Sequence, residues 1–124
     1  MKPETKEWIA KADADLDTAK REVLVVESSN YDAVCFHAQQ CAEKYLKAVL
    51  LENDLRVPRI HDLEALLNQL MPLYPALSRV LHFARILSAM AVEVRYPGMS
   101  ADEDDASESI VAAMAIRDEV RLIL

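Results

Sequence analysis

Two pairs of residues have types and spacing that could support chemistry. His37 and Cys41 lie four residues apart in a stretch with helical periodicity, so they face the same way, as two metal ligands would. No third or fourth ligand stands nearby, so we expect both to pack rather than bind a metal. His61 precedes Glu64 by three residues at a helix start, where an imidazole could serve as a general acid or base or contact a phosphate. Its structural alternative is a cap, or a hydrogen bond across to the second helix.

Arg95 and Tyr96 follow an apolar helix and form a third candidate pair. A guanidinium can bind a carboxylate or phosphate through two parallel hydrogen bonds, and a tyrosine ring can stack on a base. The structural alternative is that Arg95 stabilises the negative end of the helix. The acidic run Asp102–Asp105 lacks the alternating ligands and the glycine of a calcium loop, so it indicates a solvated helix start.

The charge balance limits the function classes. The net charge is -7, and an acidic chain is a poor general binder of phosphate backbones. Five arginines do fall between residues 56 and 95, namely Arg56, Arg59, Arg79, Arg85 and Arg95. Nucleic-acid binding would therefore need a local site. A single glycine cannot build a phosphate-binding loop, and no serine or cysteine has a nucleophile motif.

The composition predicts one all-α domain over residues 1–124. Hydrophobic residues make up 52% and charged residues 28%, with too little glycine for a hairpin-rich fold. Cys35 and Cys41 lie on different sides of one helix and cannot pair, which favours a reducing compartment. We expect no signal peptide, no membrane span and a cytoplasmic location.

Apolar periodicity predicts five helices, joined by short connections into an up-and-down bundle of four to five helices. The first helix covers about residues 3–26, with a buried stripe that extends to Val23 and Val26. The others cover about 31–53, 62–71 and 76–94, and the last runs from a capping box to the C-terminus. We expect Ser29 or Asn30 to cap the second helix, and Ser100 with Glu103 to form the capping box of the last.

Three motifs together resemble the HEPN domain family: "FHAQQCAEKYLKAVLLE", the later "HDLEALL", and "RYPG" before an acidic helix start. The resemblance covers nearly the whole chain. It implies a HEPN-like helical bundle that forms a homodimer. It also implies a toxin–antitoxin or defence module in which a minimal nucleotidyltransferase is the partner.

Many members of the family are metal-independent ribonucleases with an arginine followed four to six residues later by a histidine. This sequence departs from that pattern, because "YPGMSADEDD" after Arg95 contains no histidine. Arg56 and His61 have the spacing, but they lie between the second and third helices. The resemblance therefore gives more support to the fold and to the pairing with a partner than to RNA cleavage.

Three hypotheses follow. The first is a non-catalytic HEPN-type protein without a cofactor or metal, which binds a nucleotide or RNA. Its ligand-binding residues would be Lys44, His61, Arg95 and Tyr96. The second is a metal-independent ribonuclease that uses His61 with Arg56 or Arg95. The third is a structural homo-oligomer that binds no ligand.

Overall fold

The computed structural model describes residues 1–93 and 96–124, and they form helices and turns without a strand. The helices are α1 (Pro3–Glu22), α2 (Tyr31–Glu52), α3 (Leu63–Leu70), a 3-10 helix (Pro75–Val80), α4 (Leu81–Glu93) and α5 (Glu103–Ile123). The all-α bundle predicted from the sequence is confirmed. Within the described part of the chain, none of these helices has the length and apolar character needed to cross a bilayer.

Helix α2 is the central element, and it contacts α1, α3, α4 and α5. Its apolar residues recur every three or four positions, so they form one broad face that the neighbouring helices cover. Tyr45, Leu46 and Val49 on this face are fully buried. Asn30 caps the helix, because its side-chain oxygen accepts a hydrogen bond from the Ala33 N–H at 3.0 Å. Of the two predicted caps, Ser29 and Asn30, the structure therefore selects Asn30.

The first helix is shorter than its periodicity predicts. It ends at Glu22, and Val23 is its C-cap. The prediction that the buried stripe continues to Val26 is wrong, since Val26 is 94% exposed. Apolar spacing alone cannot extend a helix when no neighbouring element packs against its last turn.

The third and fourth helices also differ between the prediction and the structure. Asp62 caps α3 by accepting a hydrogen bond from the Ala65 N–H at 3.2 Å, so the capping role considered for His61 belongs to Asp62. The predicted helix over 76–94 is divided into the 3-10 helix and α4. Its predicted end at Val94 lies outside the described residues.

The capping box of α5 lies two residues later than expected. Asp102 is the N-cap, and its carboxylate accepts from the Asp105 N–H at 2.7 Å while the Asp105 carboxylate accepts from the Asp102 N–H at 3.0 Å. Ser100 and Glu103 do not form the box, so that prediction is wrong. Both frames have a suitable pair of residues three apart, and the structure places the extended N-cap conformation at Asp102 (φ -99, ψ -178).

Candidate functional site

Three polar residues at four-residue intervals on α2 are buried. Gln39, Glu43 and Lys47 are 5%, 4% and 5% exposed. Their spacing places them on one face of the helix. Buried charges need partners, because an unpaired charge away from water is costly. Each of the three has partners, and together they form the base of a site at the connection between α2 and α3.

The Glu43 carboxylate receives three hydrogen bonds. Its Oε1 lies 2.9 Å from His61 Nδ1 and 3.2 Å from Gln39 Nε2, and its Oε2 lies 3.0 Å from Lys47 Nζ. Lys47 is held from the other side by the Trp8 ring, whose centroid is 5.9 Å from Nζ. A carboxylate only accepts, so His61 Nδ1 is the donor. In the neutral imidazole the proton therefore sits on Nδ1, and Nε2 carries a free lone pair.

Gln39 fixes the backbone next to the histidine. Its Nε2 also donates to the His61 carbonyl oxygen at 3.1 Å, and its Oε1 accepts from Gln40 Nε2 at 2.9 Å. A continuous chain of hydrogen bonds thus runs from Gln40 through Gln39 to the connection that carries His61. The imidazole is held at its backbone and at Nδ1, while 69% of its side chain stays exposed.

His61 opens onto two adjoining cavities, of about 650 Å³ and about 350 Å³, that share Gln39, His61 and Ala91. We call the two together the His61 groove. The larger cavity is also lined by Asn30, Asp32, Ala33, Phe36 and Gln40, and the smaller one by Asp62, Ser88 and Val92. This volume is in the range of small-molecule sites, which combine apolar lining with a few placed polar groups.

The lining of the His61 groove is mostly uncharged. Its described residues include no lysine or arginine, and its carboxylates are those of Asp32 and Asp62. The Asp32 carboxylate accepts the Ala101 N–H at 2.7 Å. Phe36 is 51% exposed, so a large part of its ring is available to a planar ligand. Ser88 Oγ, at the α4 side, is buried and has no hydrogen-bond partner within the described part of the chain.

A second polar cluster joins α1 to α2. The Asp15 carboxylate binds Lys44 Nζ through one oxygen and His37 Nδ1, at 2.8 Å, through the other. Nearby, the Tyr45 hydroxyl donates to Asp13. Burial raises the pKa of the Tyr45 hydroxyl, and the bond to Asp13 raises it further. This cluster connects two helices, and its residues are not among the described lining of the His61 groove.

The candidate metal pair does not form a cluster. His37 is bound to Asp15, while Cys41 is fully buried. Burial raises the pKa of the Cys41 thiol to about 12, so the thiolate that a metal would need is disfavoured. Among residues 1–93 and 96–124, no three His, Cys, Asp or Glu side chains are grouped so as to hold a metal ion. Both cysteines are free, as expected.

The predicted ligand-binding residues are distributed over different places. His61 lies in the groove, whereas Lys44 is paired with Asp15 and is not part of the groove lining. Tyr96 is 60% exposed in the turn that precedes α5. Arg95 lies outside the described residues. Arg56 is exposed in the connection between α2 and α3.

The sequence predicts that some of the polar residues of α2 face His61 and Arg95 in a shallow polar groove, or the same helix of a second subunit; these residues are Gln39, Gln40, Glu43, Lys44 and Lys47. Gln39 and Gln40 do line the groove with His61, whereas Phe36 and Asn30 are not assigned to it from the sequence. One signal was available: three polar residues at four-residue intervals interrupt an otherwise apolar helix, which is unusual unless their side chains are paired.

With the fold and the site defined, comparison with known proteins identifies the class. The HEPN domain model matches residues 5–123. The chain therefore belongs to the HEPN domain family, and the resemblance found in the sequence is confirmed. A comparison with curated proteins finds no match.

Two solved structures are similar over their full length. TT1696 from Thermus thermophilus superposes with a TM-score of 0.83 at 25% identity, covering 97% of this chain and 98% of the other. ST0689, described as an archaeal HEPN homologue, has a TM-score of 0.74 at 30% identity, with 98% and 97% coverage.

Proposed function

We propose that this protein is a non-catalytic HEPN component that binds a nucleotide, or a nucleotide within an RNA, in the His61 groove. The observation that carries this proposal is the Glu43–His61 pair at an open cavity. A buried carboxylate with three donors holds an exposed imidazole that otherwise could rotate freely. With Nδ1 fixed by Glu43 and the ring facing a cavity, the second ring nitrogen can make a directional hydrogen bond to a ligand, as the few placed polar groups of small-molecule sites do.

Family membership and the exposed surface motivate a proposal about the partners. We propose a homodimer that acts with a minimal nucleotidyltransferase in a toxin–antitoxin or defence module. Two large apolar side chains in the turn before α5, Tyr96 and Met99, are 60% and 50% exposed. Exposed apolar side chains grouped in this way favour contact with another protein surface.

A second candidate function is metal-independent RNA cleavage. The specific observation that favours it is the orientation of His61, whose free Nε2 could accept a proton from a ribose 2′-hydroxyl. Cleavage would also need a cation for the charge that develops on the phosphate, for which Arg56 and Arg95 are the candidates.

One set of proteins tests both functions. Wild type, His61→Ala and the control His82→Ala, which changes an exposed histidine on α4 outside the groove lining, are titrated with nucleotides by calorimetry. The same samples are incubated with RNA in the presence of a chelator. Nucleotide binding that only His61→Ala weakens, with intact RNA throughout, supports the first proposal. RNA cleavage lost only in His61→Ala supports the second.

The partner proposals have separate tests. Light scattering after size-exclusion chromatography gives the mass of the assembly, and a monomer at micromolar concentration would contradict the homodimer. Co-expression with the product of a neighbouring gene tests the nucleotidyltransferase. If neither nucleotide nor RNA binds and no partner co-purifies, the structural homo-oligomer becomes the better description.

A further inference from the structure

The described lining of the His61 groove presents neutral hydrogen-bonding groups and two carboxylates, without the lysine or arginine that a phosphate site would present. Gln40 and Asn30 contribute amides, His61 an imidazole and Phe36 a ring. The Asp32 carboxylate would repel a phosphate that entered the larger cavity. The described lining therefore fits the base of a nucleotide better than its phosphates.

The fixed tautomer of His61 determines which kind of ligand group its Nε2 can bind. Glu43 holds the proton on Nδ1, so Nε2 of the neutral imidazole is an acceptor. Reversing the tautomer would direct a lone pair at the Glu43 carboxylate, which has no proton to donate. A ligand that meets Nε2 of the neutral imidazole therefore supplies an N–H or O–H.

Gln40 offers a complementary pair of groups beside that acceptor. One bond from its Nε2 goes to Gln39 Oε1. Within the described part of the chain, its second N–H and its Oε1 remain for a ligand. A glutamine amide that presents a donor and an acceptor together is the side chain that pairs with the N6 and N7 atoms of adenine.

We propose, resting on the proposed function, that the His61 groove recognises the amino edge of an adenine base. One N–H of the exocyclic amine is donated to His61 Nε2 and the other to Gln40 Oε1. The Gln40 N–H is donated to N7. The exposed ring of Phe36 packs against the base, as aromatic side chains do in single-stranded nucleic-acid sites.

Adenosine and inosine provide the sharpest comparison, because they differ at the edge in question and share the sugar. Inosine places a carbonyl oxygen where adenosine has the amine, so that oxygen would face the His61 lone pair. We expect adenosine to bind about tenfold more tightly than inosine, from the discrimination given by a matched donor–acceptor pair. The 5′-monophosphates of both are titrated in parallel by calorimetry.

Variants assign the preference to residues. His61→Ala and Gln40→Ala should each reduce the adenosine preference to about threefold or less. The controls His82→Ala and Gln69→Ala, which change exposed residues on α4 and α3, should retain it. Glu43→Gln should let the imidazole change tautomer, which the nitrogen chemical shifts of His61 report directly. If Glu43→Gln does not fold, His61→Ala remains informative, since that side chain is 69% exposed.

The failures of the two proposals are distinguishable. If the monophosphates bind but adenosine and inosine forms bind equally, the adenine inference is overturned and the proposed function stands. The adenine inference is also overturned if the preference survives in His61→Ala. If neither the nucleosides, the monophosphates nor RNA bind to the folded protein, the proposed function fails and the inference fails with it.

Discussion

His61 Nδ1 lies 2.9 Å from Glu43 Oε1, although the glutamate side chain is 5% exposed and the histidine side chain is 69% exposed. The pair therefore spans the boundary between the protein interior and the groove. Because Glu43 also binds Gln39 and Lys47, the orientation of a surface imidazole depends on a buried network. Changes to that network should affect both stability and ligand recognition.

The buried Glu43–Lys47 pair should show strong coupling. Lys47→Met removes the cation and leaves the carboxylate buried with two donors, so we expect a loss of about 3 kcal/mol in the free energy of unfolding. Glu43→Leu should cost a similar amount. The double variant should cost at least about 1 kcal/mol less than the sum of the single losses, because neither charge is then left unpaired.

Urea denaturation of the four proteins measures this cycle. The matched control is the same cycle of single and double variants at the exposed pair Glu64–Arg85, in which Arg85 Nε lies 2.7 Å from Glu64 Oε1. The hydrogen bond from Arg85 lowers the pKa of the Glu64 carboxyl, yet an exposed pair contributes little to stability. Additive losses at Glu43 and Lys47 would contradict the structure.

The cap of α5 gives a prediction that separates two possible capping frames. Asp102→Ala removes the side chain that accepts the Asp105 N–H, so we expect a loss of about 1 kcal/mol. Ser100→Ala should change stability by less than about 0.5 kcal/mol. Thermal or urea unfolding of the two variants decides between the two capping frames. A larger loss of stability for Ser100→Ala would favour the frame that begins at Ser100.

The elements that could be predicted from the sequence are those that local periodicity determines. The buried face of α2 follows from apolar residues three and four positions apart, and Tyr45 and Leu46 lie where that spacing places them. The end of α1 could not be predicted in this way. Val26 continues the predicted apolar stripe, but it is 94% exposed because no element in the described part of the chain covers it.

The site depends on contacts between distant parts of the chain. His61 follows Glu43 by 18 residues, and their hydrogen bond requires the connection after α2 to fold back along that helix. No periodicity encodes that path. The polar spacing of Gln39, Glu43 and Lys47 indicates that this face of α2 has partners, whereas their identity requires the tertiary structure.

The sequence predicts that Lys44 contacts a nucleotide, and the structure leads to a different expectation. Its ammonium is paired with Asp15, which also binds His37. We therefore expect Lys44→Ala to change nucleotide affinity by less than about twofold, and to lower stability by about 1 kcal/mol through the lost pair. Calorimetry beside His61→Ala measures the first quantity. A loss of affinity equal to that of His61→Ala would place Lys44 in the ligand site.

Stability should fall at high pH because buried acids resist ionisation. Burial raises the pKa of the Cys41 thiol from 9.0 to about 12, and burial together with the bond to Asp13 raises that of Tyr45 above its ordinary 10.0. Above pH 9 the unfolded chain releases the Cys41 proton while the folded chain retains it. The unfolded state then binds fewer protons, so the free energy of unfolding decreases as pH rises from about 9 toward 12.

Urea unfolding between pH 7 and 11 measures this dependence. We expect a plateau below pH 9, followed by a decline to which each affected group adds at most about 1.4 kcal/mol per pH unit. Cys41→Ala should flatten the decline by removing one group, even if it lowers stability at neutral pH. A thiol reagent at pH 8 should modify Cys41 only after denaturation, because burial both blocks access and disfavours the thiolate. Rapid modification of Cys41 in the folded protein, or an unchanged pH profile in Cys41→Ala, would contradict its placement in the core.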